Sequence, residues 1–196
     1  PEGRRFWIDA GVFTGAAFLL DRPARAFVAA HQTRTLDHVA EVLDPLGRAE
    51  YIVPSLAAVI VLPAVVGNRP LAWKAVRVAA GYAAADLAGG ALRVIVARHR
   101  PDSSGNPWRF RPLHPQGDWG SMPSAHVTHA FALAAGVAEV SGRPLASGLA
   151  YGLAAMVAAQ RVYRQAHWGS DVVVGAALST DVSRRVIRLL RRQHQS

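Results

Sequence analysis

The twelve residues QRVYRQAHWGSD (160–171) set Arg161, Arg164, His167 and Asp171 between two apolar segments. Positions four apart face each other on a helix, so the spacing predicts that Asp171 orients the imidazole of His167. Two further clusters carry the same kind of chemistry. In RVIVARHRP, Arg93 and Arg100 stand seven residues apart, about two helical turns, which puts both guanidinium groups on one face. In PSAH (123–126), Ser124 is placed to cap a helix and His126 falls in its first turn. Several arginines converging on a helix start make a site for a multiply charged oxyanion. Their planar forks match phosphate oxygens, and the helix start offers free N–H groups and the positive end of a dipole. Two histidines in unequal surroundings then suit phosphoryl transfer. One attacks as nucleophile while the other protonates the leaving group.

The composition says what must carry these clusters. The chain is 51% hydrophobic yet has a formal net charge of +9, and Lys74 is its only lysine. A soluble nucleic-acid binder is basic but seldom so rich in apolar runs. A membrane protein with charged ends and a charged site fits better. With no cysteine, disulfides, thiolate chemistry and cysteine-based metal sites are excluded. No secretory signal, internal repeat or low-complexity linker is visible. The chain begins at Pro1 rather than Met, and the expectation is that its start has been trimmed or lies outside this sequence.

Apolar segments at 6–20, 51–67, 71–97, 124–140, 145–164 and 168–190 are read as six spans, the first one short. Pro54 and Pro63 suit a membrane helix better than a water-soluble one. Residues 21–50 alternate charge with Leu36, Val39, Ala40 and Leu43 at helical spacing, as in amphipathic helices at an interface. Ala- and Gly-rich stretches such as GYAAADLAGGA let helices approach closely. The expected fold is all-α: a six-helix transmembrane bundle with amphipathic helices in 21–50, forming one membrane-embedded domain over 1–196. The arginine-rich tail, with Arg184, Arg185, Arg188, Arg191 and Arg192, should stay cytoplasmic. That puts loop 101–123 and the stretch around 161–170 on the outer side, where their arginines break the simple charge rule and so need another purpose.

The three clusters match a family pattern. Arg93-x6-Arg100-Pro101, Pro123-Ser124-Ala125-His126 and Arg161-x5-His167-x3-Asp171 resemble the signature motifs of the type-2 phosphatidic acid phosphatase (PAP2) family, K-x6-R-P, P-S-G-H and S-R-x5-H-x3-D. Order and internal spacing agree throughout. Three positions depart: Arg93 stands for Lys, Ala125 for Gly and Gln160 for Ser. The resemblance implies that His167 attacks phosphorus to form a phosphohistidine, that Asp171 orients it and that His126 protonates the leaving group. Arg93, Arg100, Ser124, Ala125 and Arg161 would hold the phosphate, with no metal and no cofactor.

On that reading the substrate is a lipid mono- or diphosphate such as a polyprenyl diphosphate or phosphatidylglycerophosphate. The enzyme is a multi-pass protein of the inner (cytoplasmic) membrane whose site faces the periplasm, and its tail meets anionic lipid rather than nucleic acid. A phosphotransferase acting on an alcohol acceptor would use the same site. A non-catalytic lipid binder would be expected to have lost His126, His167 or Asp171. The soluble vanadate-binding haloperoxidases share the site pattern, but this chain reads as membrane-embedded. The remaining polar residues have plainer expected roles. Arg98 and His99 are read as interface residues, and Arg164 as a headgroup or substrate contact. Trp108 and Trp119 are read as interfacial anchors, Asp86 as a partner of Arg93, His129 as a packed helix residue and Glu139 as exposed.

Overall fold

The protein is described by a computed structural model covering residues 2–103, 105–114 and 117–193. Ser104, Pro115 and Gln116 of the predicted long loop lie outside the described residues, as does Pro1. The described chain forms seven α-helices: α1 (Glu2–Ala30), α2 (Arg34–Leu43), α3 (Ala49–Val65), α4 (Arg69–Val96), α5 (Ala125–Ser141), α6 (Pro144–Tyr163) and α7 (Gly169–Gln193). Short 3-10 turns occupy Asp44–Gly47 and Gly117–Trp119. Among the described residues there is no strand, only an isolated antiparallel bridge between Arg98 and Phe110.

The all-α expectation stands, while six spans are not confirmed: by length and composition two or three crossings qualify among the described residues. The short segment 6–20 is part of α1, a helix of 29 residues that runs through Pro23 without ending. It stops at His31, whose Nδ1 lies 2.7 Å from the Phe27 carbonyl. Amphipathic structure in 21–50 therefore reduces to α2, capped by Thr33 Oγ1, which accepts from Leu36 N–H. By length and composition α4 and α6 are the helices that could each cross a membrane alone. The segment Arg34–Gly47 followed by α3, bent by 50°, could supply a third crossing. The others are shorter or more charged than a helix that crosses alone, so they would cross only packed within the bundle. α5 has 17 residues, a rise of about 26 Å against a hydrocarbon core of about 30 Å. α7 carries Asp171, Asp181 and the arginines of the tail.

Packing is built on small residues. α7 lies against α4, α5 and α1, and α5 lies against α4 and α6. Ala85, Ala132 and Ala135 are fully buried along these seams. Gly175 allows a close approach here, because a Cβ there would sit 3.2 Å from the Ser124 carbonyl oxygen, tight enough that this backbone would have to give by a few tenths of an ångström. The bundle's outer faces keep large apolar groups such as Leu19, Leu62, Leu87 and Leu145 exposed, a surface that hydrocarbon covers better than water. The C-terminal ends of α4 and α6 and the N-terminal ends of α5 and α7 carry the three motifs, and contacts between those helix ends bring them to one end of the bundle.

Candidate active site

Each motif sits at a helix end. Arg93 lies in the last turn of α4, Ser124 is the residue before α5, Arg161 lies in the last turn of α6 and Asp171 in the first turn of α7. Arg100 follows α4 after a tight reversal at Ala97, a buried residue in the left-handed region with φ 41°. Ser124 N–H donates to the Asp171 carbonyl at 3.3 Å, which ties the starts of α5 and α7 together. Arg93 Nε donates to the Pro123 carbonyl at 3.3 Å.

Around this junction lie polar atoms that are buried and have no hydrogen-bond partner among the described residues: Arg93 Nη2, Arg100 Nε, Ser124 Oγ, His126 Nε2 and Arg161 Nε. These five belong to residues singled out by the motifs; Thr128 Oγ1 and Gln160 Oε1 near by are without a partner too. Buried donors left unpaired are costly, and a set of them on positive or hydroxyl groups is what an oxyanion would satisfy. The Ser124 side chain makes no cap bond, so the expected capping is replaced by a free hydroxyl. Ala125 opens α5 and contributes its backbone to that helix start.

His167 precedes α7 rather than lying on it, which changes its expected pairing. Its Nδ1 is 3.9 Å from Asp171 Oδ2 but 2.8 Å from the Ser121 carbonyl oxygen. A carbonyl only accepts, so Nδ1 carries the proton and Nε2 keeps its lone pair. Asp171 acts at one remove. It accepts the Ser121 hydroxyl and, at 2.9 Å, the Trp168 N–H, and so fixes the loop segments on both sides of the imidazole. Burial, then the charges of Arg161 and Arg100, hold the His167 imidazole well below the usual histidine range, so it stays neutral.

Behind Asp171 stands a group that the sequence reading misplaced. Arg98 is not at the interface but wholly buried. The reversal at Ala97 turns its side chain inward. Arg98 Nη1 donates to Asp171 Oδ1 at 2.7 Å and to Ser170 Oγ at 2.6 Å. Its Nη2 donates to Asp21 Oδ2 of α1 at 2.7 Å, and Nε donates to the Pro107 carbonyl at 2.9 Å. Asp21 in turn accepts Ser170 N–H at 3.0 Å. The guanidinium is lined by Phe18, 4.6 Å from the ring centre, and by Trp168 and Phe110. The signal for Arg98 was its place one residue before His99-Arg100-Pro101. Asp21 had none, because nothing local links it to the motifs 70 or more residues on. His99 is buried too, stacked edge-on to Trp119 at 4.6 Å, with its carbonyl accepting from Trp168 Nε1.

Other expectations need correcting. Asp86 is not paired with Arg93; it lies 2.9 Å from Nε2 of His129, whose Nδ1 lies 2.8 Å from the Gly47 carbonyl. Both ring nitrogens of His129 are thus engaged within the fold. Glu139 is not exposed, because Arg184 and Arg188 of the tail close over it and leave its side chain 10% accessible. Trp108 stacks on Phe18 at 5.3 Å and remains largely exposed. Among the described residues no group of three or more His, Cys, Asp or Glu could hold a metal ion.

Two cavities flank the site. One of about 390 Å³ is polar and includes Asp44, Arg48, His126, Arg161 and Arg164 in its wall. The other, about 670 Å³, is an apolar groove that begins at Pro45 and Leu46 and runs between α3, α4 and α5 past Leu56, Val78 and Val137. The turn Asp44–Gly47 separates the two.

Residues 74–195 match the sequence model of the PAP2 superfamily. No curated protein matches the chain in sequence. Among solved structures, it is similar to the first transmembrane PAP2 type phosphatidylglycerolphosphate phosphatase from Bacillus subtilis, at 17% identity and a TM-score of 0.74, over 96% of this chain and 95% of that one. It is also similar to LpxE of Aquifex aeolicus, at 17% identity and a TM-score of 0.69, over 86% of this chain and 95% of that one. At this identity the likeness shows a shared fold.

Proposed function

Because the chain belongs to the PAP2 superfamily, we propose that it is an integral membrane lipid phosphatase that releases a terminal phosphate from a lipid mono- or diphosphate through a phosphohistidine. The observation that carries this reading is the set of unpartnered buried atoms on Arg93, Arg100, Ser124, His126 and Arg161 beside an imidazole whose Nδ1 proton is tied to a carbonyl. The arginines take the phosphate oxygens, and the start of α5 adds its free N–H groups.

His167 Nε2 attacks phosphorus. The P–N bond forms as the bond to the leaving oxygen breaks, and His126 gives that oxygen a proton. Water then attacks the phosphohistidine. Its proton passes to His126, the P–N bond breaks and inorganic phosphate leaves. The arginines supply the positive charge that the transferring group needs, so the reading assigns no metal.

The apolar groove beginning at Pro45 supports a lipid leaving group, since a long hydrocarbon chain could lie there while its phosphate reaches the helix ends. The names of the similar structures favour the same class: a phosphatidylglycerophosphate-type lipid fits this site, and a polyprenyl diphosphate is the alternative of equal chemistry. With the arginine-rich end of α7 cytoplasmic, the site faces the outer side of the inner membrane. Protease should then reach the tail only from the cytoplasmic face of sealed vesicles.

The deciding experiment is phosphate release by the purified protein in detergent, on a panel of lipid phosphates with EDTA present, beside His167→Ala. Release that needs His167 and survives EDTA is the expected result. Release abolished by EDTA would overturn the metal-free mechanism. Transfer to an added alcohol without net phosphate release would make the protein a phosphotransferase.

A further inference from the structure

The polar cavity already holds a carboxylate where an anion would bind. Asp44 Oδ1 accepts from Arg161 Nη1 and, at 3.3 Å, from Gln160 Nε2, and it lies 3.4 Å from His126 Nε2. Asp44 thus binds one group assigned to phosphate and stands beside, without hydrogen-bonding, the one assigned to the leaving oxygen. Its other oxygen, Oδ2, lies 3.1 Å from Arg48 Nε, and Arg48 Nη1 lies 3.0 Å from Glu50.

The turn bearing Asp44 is seated firmly. A Cβ on Gly47 would meet His126 Cβ at 2.7 Å, so this turn lies directly on the histidine. The next turn of α5 holds it there, through His129 Nδ1 and the Gly47 carbonyl. Asp44 itself is 22% accessible and sits in the cavity wall, with Arg48 at hand to receive it.

We propose that Asp44 is a specificity-determining carboxylate. It occupies Arg161 in the resting protein and gives way, onto Arg48, only to a doubly charged phosphomonoester. This rests on the phosphate-site reading above. The argument is one of charge. A phosphodiester carries a single negative charge, so exchanging Asp44 for it on Arg161 gains no net attraction. A monoester near neutral pH carries close to two, and the exchange is favourable. A site of several arginines in a bilayer would otherwise be filled by the phosphodiester headgroups around it. Asp44 keeps those out and leaves the terminal phosphate of the substrate able to enter.

The test is direct binding of two probes, inorganic phosphate and diethyl phosphate, to the full chain in detergent, with Asp44→Asn and Arg48→Gln beside the wild type. The wild type should bind inorganic phosphate and discriminate against the diester. In Asp44→Asn, diethyl phosphate should bind about tenfold more tightly, and the ratio between the two probes should shrink. A gain in affinity is not something a damaged fold supplies. Arg48→Gln should act in the opposite direction, weakening phosphate because the displaced carboxylate has lost its second partner. Diester binding that is unchanged or weaker in Asp44→Asn would overturn the proposal, as would phosphate binding indifferent to Arg48→Gln. Failure of the wild type and both variants to bind either probe would instead overturn the phosphate site itself, and the proposal with it.

Discussion

The Nδ1 atom of His167 lies 2.8 Å from the carbonyl oxygen of Ser121 and 3.9 Å from the carboxylate of Asp171. The group that fixes the tautomer is therefore backbone, which no side-chain substitution deletes, and Asp171 works by holding Ser121. Ser121→Ala removes the hydroxyl and keeps the carbonyl. It should lower kcat by roughly tenfold with KM little changed. Asp171→Ala strips the acceptor from Arg98, Ser121 and Trp168 together and should cost about 3–5 kcal/mol of stability. Steady-state kinetics and thermal unfolding in detergent separate the two. A large loss of kcat in Asp171→Ala with none in Ser121→Ala would mean that Asp171 acts on the imidazole directly.

Arg98 bridges Asp21 and Asp171, and all three side chains are inaccessible to solvent. Arg98→Met leaves two buried carboxylates facing each other and should cost about 3–5 kcal/mol. Adding Asp21→Asn to Arg98→Met should recover part of that loss, because a neutral amide needs no counter-charge. A double-mutant cycle on melting temperature reads the coupling, and strict additivity would show that the pair does not interact.

The pH dependence follows from the depressed His167. Its neutral form is favoured in the folded protein, so the proposed nucleophile stays unprotonated below the unfolded histidine value of about 6.5, and activity should fall only as pH drops through the lower folded value. The stability linked to this group runs the same way: fully present above the unfolded value and lost as pH falls through the folded one. Arg161→Gln removes one of the charges that depress it. The acid limb of kcat/KM for that variant should move up towards the unfolded value, alongside a raised KM. An acid limb that stays put would mean that Arg161 does not act on His167.

Gly175 and Gly148 make a matched pair. A Cβ at 175 would meet the Ser124 backbone carbonyl at 3.2 Å, whereas one at 148 meets nothing within 4 Å. Gly175→Ala should cost about 1–3 kcal/mol and lower activity, because the start of α5 has to shift. Gly148→Ala should be neutral or stabilise by up to about 1 kcal/mol through helix propensity. Melting temperatures decide, and an unaffected Gly175→Ala would show that the two helix starts are not held by this contact.

Much of the candidate site was legible because its residues lie in three short motifs whose spacing survives folding. Arg93, Arg100, Ser124, His126, Arg161, His167 and Asp171 could be named from sequence, and the structure brings them to neighbouring helix ends. Asp21 and Asp44 could not. They sit in the first 50 residues, and their partners are fixed by how α1 and the turn Asp44–Gly47 dock, which no local spacing encodes. Arg98 was misread because an arginine beside loop residues is usually solvated, whereas here the left-handed turn at Ala97 aims it inward. The helices were legible to within three residues from α4 onwards, where apolar runs end at Gly, Pro or charge. α1 was cut short because its apolar run ends at Leu20 and charged residues follow, yet the helix continues through them to Ala30.

The family match begins at residue 74, which invites treating the motifs as a self-sufficient module. The hydrogen bonds of Asp21 argue otherwise. A fragment starting at residue 74 would retain every motif but lose one of the two carboxylates that neutralise Arg98, and with it the acceptor for Ser170. Helix exchange between relatives meets the same barrier: a foreign first helix must bring an acidic group to the depth of Asp21, or the graft carries an unbalanced cation beneath His167.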